Sequence, residues 1–194
     1  MSELILASTS PWRRQMLESA GLSVRAISPG VDERAIVDDD PGSLARRLAH
    51  MKAVAVARQF PAAVVLGADQ VVSDGREIWG KPLDATDHLA RLRSMRGEVH
   101  DLITGFALLG PGVEVVGTET TRLWVRPDLT EQELEAYVQT GEGSGCAGGY
   151  AAEGRGAFLF SRIEGDWFNV LGLPLFRVLD ALRAHGWRFP FGGT

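Results

Sequence analysis

The chain has 194 residues, of which 45% are hydrophobic and 23% are charged, and its net charge at pH 7 is −5. This negative charge argues against binding of a nucleic acid polymer through a basic surface, and the size allows one domain or two small lobes that share a cleft. The single cysteine excludes an internal disulfide, and no apolar run reaches membrane-spanning length, so we expect a soluble cytoplasmic protein that contacts no membrane.

Predicted strands and helices alternate along the chain. Apolar and β-branched runs predict strands over residues 3–7, 23–27, 63–67, 103–109, 113–125 and 157–163. Helical spacing and end signals predict helices over residues 11–20, 42–58, 85–95, 130–140 and 175–185. Alternation of this kind predicts an α/β fold, and the long strand at 113–125 favours a mixed sheet over a parallel one. Since no repeat or flexible linker interrupts the chain, we expect a single domain over residues 1–194.

The first predicted strand leads directly into a motif of small hydroxyls and guanidiniums, Ser8-Thr9-Ser10-Pro11-Trp12-Arg13-Arg14. Hydroxyls and loop N–H groups can surround phosphate oxygens, and arginine adds a charged fork of matching geometry. Ser10 could instead serve only as a helix N-cap, with Pro11 in the first helical position. Both interpretations can hold together, because a capped helix N-terminus itself attracts anions.

Two positions carry carboxylates that could act on a bound ligand. Asp69 follows a run that reads as a buried strand, and an acid in that place is costly to bury without a purpose. It is the first candidate for a metal ligand or a general base toward water, and a turn-capping role is the alternative. Asp32-Glu33 follows a turn and could hold a hard cation, although a solvated acidic turn is the simpler interpretation.

Two lysines and a histidine complete the candidates that carry charge or titrate near neutral pH. Lys52 lies in an otherwise apolar helix and could either snorkel to solvent or project its charge into a phosphate pocket. Lys81 stands between Gly80 and Pro82, which would fix its direction, unless this is an ordinary surface turn. For His100, a structural hydrogen bond is the favoured interpretation over a catalytic role. Cys146 has no histidine nearby in sequence, so we expect it to be a small buried thiol.

Several familiar nucleotide and hydrolase signatures are missing from the chain. It contains no Walker A sequence, no strand-linked GxGxxG, no HExxH and no GxSxG. What remains is a set of cationic side chains and carboxylates spread along the chain. This inventory favours a metal-assisted reaction on a phosphorylated small molecule.

Together these clusters resemble the Maf family of nucleoside triphosphate pyrophosphatases. The resemblance runs in one order along nearly the whole chain, through Ala7–Arg14, Val31–Glu33, Lys52-Ala53, Gly67–Val71, Gly80–Pro82, His100, Thr104-Gly105, Ala147–Tyr150, Ile163–Asp166, Asn169-Val170 and Gly172–Leu175. It implies a mixed central sheet with flanking helices, two lobes around a deep cleft as in ITPase-like proteins, and often a homodimer. It also implies hydrolysis of a nucleoside triphosphate to the monophosphate and pyrophosphate with a divalent metal, Mg²⁺ or Mn²⁺.

The resemblance also implies roles for individual residues. Asp69 would accept the proton of the attacking water, and Glu33 and Asp69 would lie near the metal. The phosphates would be held by five residues: Ser8, Ser10, Arg13, Lys52 and Lys81. Neutralising the charge of the polyanion is what attack by water requires, so these residue types suit the reaction.

Three positions indicate which nucleobase the protein recognises. Trp12, Gln70 and Glu153 look like the branch of the family that acts on 7-methyl-GTP, whereas the dTTP/UTP branch typically has Arg, Thr and Gln there. An indole can stack on a cationic purine, and a carboxylate can accept the guanine N1–H and amino edge. We therefore expect a 7-methyl-GTP pyrophosphatase that clears modified nucleotides. The segment 148–151 looks closer to the dTTP/UTP branch, which is the alternative within the family.

Two readings from other classes remain as alternatives. One is a nucleotide-binding regulator of septum formation that senses nucleotide without turnover. The retained Asp69, Lys52 and Lys81 argue against it, because a sensor needs no positioned base. The other is an RNA-binding module, which the negative net charge disfavours.

Overall fold

The computed structural model describes residues 3–188, except for the side chain of Arg34. The strands are β1 (Leu4–Ala7), β2 (Val24–Ala26), β3 (Val64–Ser73), β4 (Ile78–Trp79), β5 (Val99–Gly110), β6 (Val113–Val125) and β7 (Phe160–Glu164). The helices are α1 (Pro11–Ser19), α2 (Pro41–Ala57), α3 (Ala85–Met95), α4 (Glu131–Gln139), α5 (Trp167–Val170) and α6 (Leu175–Ala184). Short 3₁₀ helices occupy Glu33–Ala35 and Arg155–Leu159. None of the helices within residues 3–188 combines the length and apolar character that a membrane crossing needs.

The strands form one mixed sheet in the order β2-β1-β3-β5-β6-β7, and β4 adds to the far end of β3. β1 is parallel to both β2 and β3, while β3, β5, β6 and β7 pair antiparallel. Helices α1 and α6 pack on one face of the sheet and α2 packs on the other. This arrangement confirms the expected α/β fold with a mixed central sheet and flanking helices.

Two apolar cores lie along the face of the sheet opposite α2. The first joins β1, β3 and β5 to α1 and α6, and the second joins the far ends of β3, β5 and β6 to α3 and α4. Between them, Gln70, Thr104 and Thr121 replace apolar side chains on the same face, and Asn169 bonds to the layer. The protein thus has two lobes, each built on its own core, with a polar layer between them.

Helix α2 lies unusually close to the sheet because two glycines face it. A Cβ atom on Gly67 of β3 would lie 2.2 Å from the carbonyl oxygen of Ala49, and one on Gly105 of β5 would lie 2.2 Å from that of Ala45. Neither distance is possible for real atoms, so only glycine permits this approach. The close approach brings Lys52 on α2 directly over β3.

Several element bounds differ from those predicted. The strand expected over residues 63–67 continues to Ser73, because nine residues of β3 pair with β5 in an antiparallel ladder. Asp69 therefore lies within a strand and not after its end. The last predicted strand begins only at Phe160, since Glu142 accepts hydrogen bonds from the N–H groups of Arg155 and Gly156 and holds that segment as a 3₁₀ turn. Two short elements, β4 and α5, carry too few residues to show a periodicity.

Candidate active site

A cleft of about 1370 Å³ opens where β1 ends and β3 continues. Within residues 3–188, β3 has no strand neighbour on the β1 side from Ala68 to Val71, so both faces of β3 are reached from this open edge. Open α/β sheets commonly place ligands at such points. The cleft is lined by all ten residues to which the sequence analysis gave a role in catalysis, metal binding, phosphate binding or specificity: Ser8, Ser10, Trp12, Arg13, Glu33, Lys52, Asp69, Gln70, Lys81 and Glu153.

The most buried part of the cleft holds a lysine between two carboxylates. The Lys52 ammonium lies 2.5 Å from Oδ1 of Asp69 and 2.9 Å from Oε1 of Glu33. Lys52 and Asp69 are both almost fully buried, whereas Glu33 is half exposed on its 3₁₀ turn. Burial of a charged group is tolerated only with a partner, and each of these two buried groups supplies that partner to the other. The cluster combines a potential proton acceptor with a potential phosphate ligand.

Arg13 is held in the cleft by backbone and hydroxyl oxygens. Its Nε donates to the carbonyl of Gly172 at 2.7 Å, and Nη1 donates to the carbonyl of Ala68 at 2.9 Å and to Ser8 Oγ at 3.4 Å. Burial lowers the pKa of the guanidinium, while Asp69 and Glu33 oppose this by favouring its charged form. Arginine still carries its charge at neutral pH. These contacts fix a cation beside the carboxylate cluster.

The start of α1 is organised by two serines. Ser10 caps the helix by accepting a hydrogen bond from the N–H of Arg13, and its own N–H donates to Ser8 Oγ at 3.1 Å. The capping interpretation of Ser10 is therefore confirmed. Since Ser8 and Ser10 also line the cleft, the capped N-terminus presents hydroxyls where an anion would be favoured.

Gln70 lies beside Asp69 on the opposite face of β3, within the polar layer between the lobes. Its Nε2 donates to the carbonyl of Asn169 at 2.6 Å and to Thr104 Oγ1 at 3.1 Å. The side-chain Nδ2 of Asn169 in turn donates to Leu102 and Thr121. This network ties β3 to α5 and occupies the amide nitrogen of Gln70.

The remaining predicted residues lie toward the mouth of the cleft. Trp12 is 52% exposed in the first turn of α1, and Lys81 and Glu153 are exposed on loops. The expectation that Cys146 is a buried thiol is wrong. It is exposed and lines the cleft, because the glycine-rich segment around it forms an open turn.

His100 has the structural role that the sequence favours. Its Nε2 lies 2.6 Å from the hydroxyl of Tyr150, and Trp79 and Phe160 pack around the ring. Burial lowers the pKa of His100 to about 4, and Asp101 and Asp74 only partly oppose this. The ring is therefore neutral at pH 7 and holds Tyr150, a residue that lines the cleft.

Arg91 and His88 on α3 were missed by reasoning from the sequence. The Arg91 guanidinium donates to the carbonyls of Gly80 and Ala147, which belong to two different loops of the cleft wall. His88 lies 2.5 Å from the carbonyl of Gly149. Both side chains fall on a helix whose sequence shows only an ordinary amphipathic pattern, so no local signal indicates these contacts.

The carboxylates can be tested for their fit to a divalent cation. The carboxylates of Glu33 and Asp69 converge on one cation, the Lys52 ammonium. Mg²⁺ is often held by one or two carboxylates together with water and substrate phosphates. In the described part of the chain, no group of three or more His, Cys, Asp or Glu side chains could hold a metal alone. The donor set therefore fits a cation that takes its other ligands from water and substrate.

A cleft with buried cations beside a carboxylate cluster has the charges that suit a bound polyanion. Residues 3–185 match the model of the Maf family, described as Maf-like protein. The chain belongs to this family. It is 41% identical to a protein of Geobacillus sp. (strain WCH70) named dTTP/UTP pyrophosphatase, with 96% of this chain and 100% of the relative covered. A Thermus thermophilus protein of the same name is 42% identical over 95% of this chain and 96% of its own.

Two further similarities complete the comparison. A Trichormus variabilis protein named nucleoside triphosphate pyrophosphatase is 39% identical, with 90% of this chain and 89% of the relative covered. Among solved structures, the Staphylococcus aureus Ham1 protein aligns with a TM-score of 0.46 at 15% identity, over 65% of this chain and 73% of its own.

Proposed function

We propose that this protein hydrolyses a nucleoside triphosphate to the nucleoside monophosphate and pyrophosphate. The observation that carries the proposal is the cluster of Lys52, Asp69 and Glu33 beside Arg13 in one cleft. A triphosphate needs cations along its length, and attack by water needs a positioned base. Relatives that match nearly the whole chain bear names for this activity.

In the proposed reaction, Asp69 accepts a proton from the water that attacks the α-phosphorus. The bond between the α-phosphorus and the bridging oxygen breaks, and pyrophosphate leaves with the β- and γ-phosphates. Lys52 and Arg13 stabilise the charge that develops on the phosphate oxygens, and Ser8 and Ser10 orient them. Lys81, which lines the same cleft, binds the phosphates as a further cation. Fixed charges of this kind need no rearrangement during the reaction.

A divalent cation, Mg²⁺ or Mn²⁺, is part of the proposal. Glu33 and Asp69 would hold it, because their carboxylates already converge on one positive charge. The cation would supply charge neutralisation on the phosphates and an acidified water. Asp69 keeps its role as the proton acceptor.

We propose that the preferred nucleobase of the substrate is thymine or uracil, so that dTTP and UTP are the substrates. Relatives that align over nearly the full length of the chain are named dTTP/UTP pyrophosphatase. The segment 148–151, which lines the same cleft in part, also looks like that branch. This replaces the 7-methyl-GTP preference expected from the sequence as the leading proposal.

A second candidate, 7-methyl-GTP, is favoured by one specific feature of the cleft. Trp12 presents a half-exposed indole and Glu153 presents a carboxylate on the walls of the same cleft. The indole can stack on a cationic purine and the carboxylate can accept two guanine hydrogens. Thymine and uracil offer no such pair of donors.

The test is pyrophosphate release with Mg²⁺ or Mn²⁺ from dTTP, UTP, 7-methyl-GTP and GTP at equal concentration. We expect the highest kcat/KM with dTTP and UTP. A preference for 7-methyl-GTP would overturn the pyrimidine proposal and establish the second candidate. Absence of release from every nucleotide would overturn the enzymatic proposal itself and favour a regulator that binds without turnover.

Three broader features belong to the same proposal. We infer that residues 1–194 form a single catalytic domain, since both cores border one cleft. We propose a homodimer, which light scattering of the purified protein tests directly. A location in the cytoplasm suits a nucleotide substrate and a chain with one cysteine.

A further inference from the structure

Two loops form a wall of the cleft that also holds the carboxylate cluster. One contains Gly80, Lys81 and Pro82, and the other runs from Gly145 to Tyr150. The loops touch each other, since a Cβ on Gly149 would lie 3.4 Å from Pro82. Neither segment belongs to a strand or a helix. Turn hydrogen bonds from the N–H of Cys146 to Gly143 and from the N–H of Gly149 to Cys146 shape the second loop, but they do not connect it to the first loop.

Arg91 on α3 connects these two loops. Its Nη1 donates one hydrogen bond to the carbonyl of Gly80 and another to the carbonyl of Ala147, the latter at 2.9 Å. The Arg91 side chain is only 15% exposed, and Asp87 lies 3.7 Å from its Nη2. One nitrogen with two hydrogens thus ties one loop to the other at a fixed spacing.

Neighbouring residues of the same helix reinforce this connection. Asp87 Oδ2 accepts a hydrogen bond of 2.9 Å from the N–H of Leu83, and the buried His88 binds the carbonyl of Gly149. Asp87 therefore holds the Lys81 loop, His88 holds the glycine-rich loop, and Arg91 holds both. Positions 87, 88 and 91 of one rigid helix serve as the common support.

We propose that Arg91 is a positioning residue that sets Lys81 against the triphosphate by fixing both loops of the cleft wall. The inference rests on the proposed function, because it assigns Lys81 to phosphate binding. Arg91 itself touches no substrate in this role. Without the Arg91 guanidinium, the carbonyls of Gly80 and Ala147 lose a charged donor. The two loops must then be ordered when the nucleotide binds, which weakens its affinity.

Arg93 on the same helix provides a matched control. Its guanidinium pairs with Glu131 at the start of α4 and is 47% exposed, and its hydrogen bonds go to Glu131 and to neither loop. Arg91→Met and Arg93→Met remove the same group from the same helix and preserve helix propensity. Arg93→Met removes the pair with Glu131 between α3 and α4 but leaves the cleft wall its donor, whereas Arg91→Met removes that donor.

The experiment measures kcat and KM for dTTP in wild type, Arg91→Met and Arg93→Met, with hydrogen exchange of residues 80–83 and 145–150. We expect Arg91→Met to raise KM roughly tenfold with kcat nearly unchanged, because phosphate holding acts equally on substrate and transition state. In the absence of nucleotide, the amides of both segments should exchange faster in Arg91→Met than in wild type. Arg93→Met should match wild type in both readouts.

Arg91→Lys gives a second, milder test that retains the positive charge. An ammonium is a point charge and lacks the planar fork, so we expect a rise in KM of about threefold. An unchanged KM in both Arg91 variants, or unchanged exchange in the two loops, would overturn the inference. If wild type releases no pyrophosphate, the proposed function fails, and the exchange data alone decide whether Arg91 holds the loops.

Discussion

Lys52 both stabilises the fold through its ion pairs and presents a cation to the cleft. Its ammonium is almost fully buried and bonded to both Asp69 and Glu33, so it offsets the charge of a buried carboxylate and of a half-exposed one. A phosphate oxygen that enters the cleft would compete with these carboxylates for the same cation. The cluster is therefore both a structural pair and a site prepared for an anion.

Asp69→Asn separates binding from turnover at this cluster. We expect kcat to fall by about 10² to 10⁴, which is the usual contribution of a general base. Nucleotide affinity should be retained or increased, because the substitution removes a negative charge near the phosphates. Pyrophosphate release and calorimetric titration measure the two effects. Asp128→Asn, on an exposed turn, should behave as wild type, and an active Asp69→Asn would exclude Asp69 as the base.

His100 makes the stability of the protein depend on pH. Burial lowers its pKa to about 4 in the folded state, whereas an unfolded histidine titrates near 6.5. The unfolded state therefore binds the extra proton first, and stability is lost as the pH falls from about 7 toward 4. The difference corresponds to about 3 kcal/mol at the acidic end.

In His100→Gln we expect this contribution to be absent. The free energy of unfolding, measured by urea denaturation between pH 7 and pH 4, should decline less steeply than in wild type. His185→Gln, at an exposed helix end, should keep the slope of wild type. Equal slopes in wild type and His100→Gln would contradict the assignment of the lowered pKa.

At the scale of elements, the contact of α2 with β3 and β5 decides where the catalytic groups lie. The helix approaches the sheet only because Gly67 and Gly105 carry no side chains. Lys52 reaches Asp69 through this short separation, although 17 positions separate them in sequence. A small displacement of α2 would open the cluster.

Gly67→Ala tests this geometry. Its Cβ would lie 2.2 Å from the Ala49 carbonyl and 2.8 Å from the Ala53 nitrogen, so α2 must move outward. We expect a loss of stability of about 3 kcal/mol from overpacking and a strong loss of turnover. Thermal unfolding and pyrophosphate release measure these changes.

Gly42→Ala in the first turn of α2 is the matched control. The new Cβ would meet only ordinary contacts, the nearest 3.6 Å away. Alanine is the better helix former, so stability should stay the same or rise by up to about 1 kcal/mol. If Gly67→Ala proved as stable and active as Gly42→Ala, close approach of α2 would not be needed for the site.

At the scale of the whole molecule, the cleft lies between two cores that share one sheet. A ligand in the cleft would contact Arg13 on α1, which packs in the first core, Lys52 on α2, and Lys81 on the loop before α3, which packs in the second core. Binding should therefore stabilise both lobes against unfolding. The size of the effect follows from mass action alone.

We expect a nonhydrolysable α,β-methylene UTP with Mg²⁺ to raise the melting temperature. At 100 times its dissociation constant, the gain is about 2.7 kcal/mol, which for a chain of this size is roughly 5–10 °C. Uridine at the same concentration should give a much smaller shift, because it lacks the phosphates. Equal shifts for the two ligands would show that the cations of the cleft do not bind the triphosphate.

Much of the architecture and most of the candidate site were predictable from sequence. The chemistry of Arg13, Lys52 and Asp69 is carried by short motifs, and the sequence pattern indicated six of the strands and five of the helices, with bounds that differ by a few residues. The extension of β3 beyond Gly67 was not predictable, because pairing with β5 supplies it. Short elements such as β4 escaped prediction for lack of a repeating pattern.

The sequence by itself determined the kinds of residue present and the local elements that carry them, because propensity and periodicity act over a few neighbouring positions. Only the tertiary structure decided which groups meet. Gln70 bonds to Asn169 across 99 positions, and Arg91 reaches Ala147 across 56. Contacts of this kind follow from packing of the whole chain, since nothing in the local sequence around either partner specifies the distance between them.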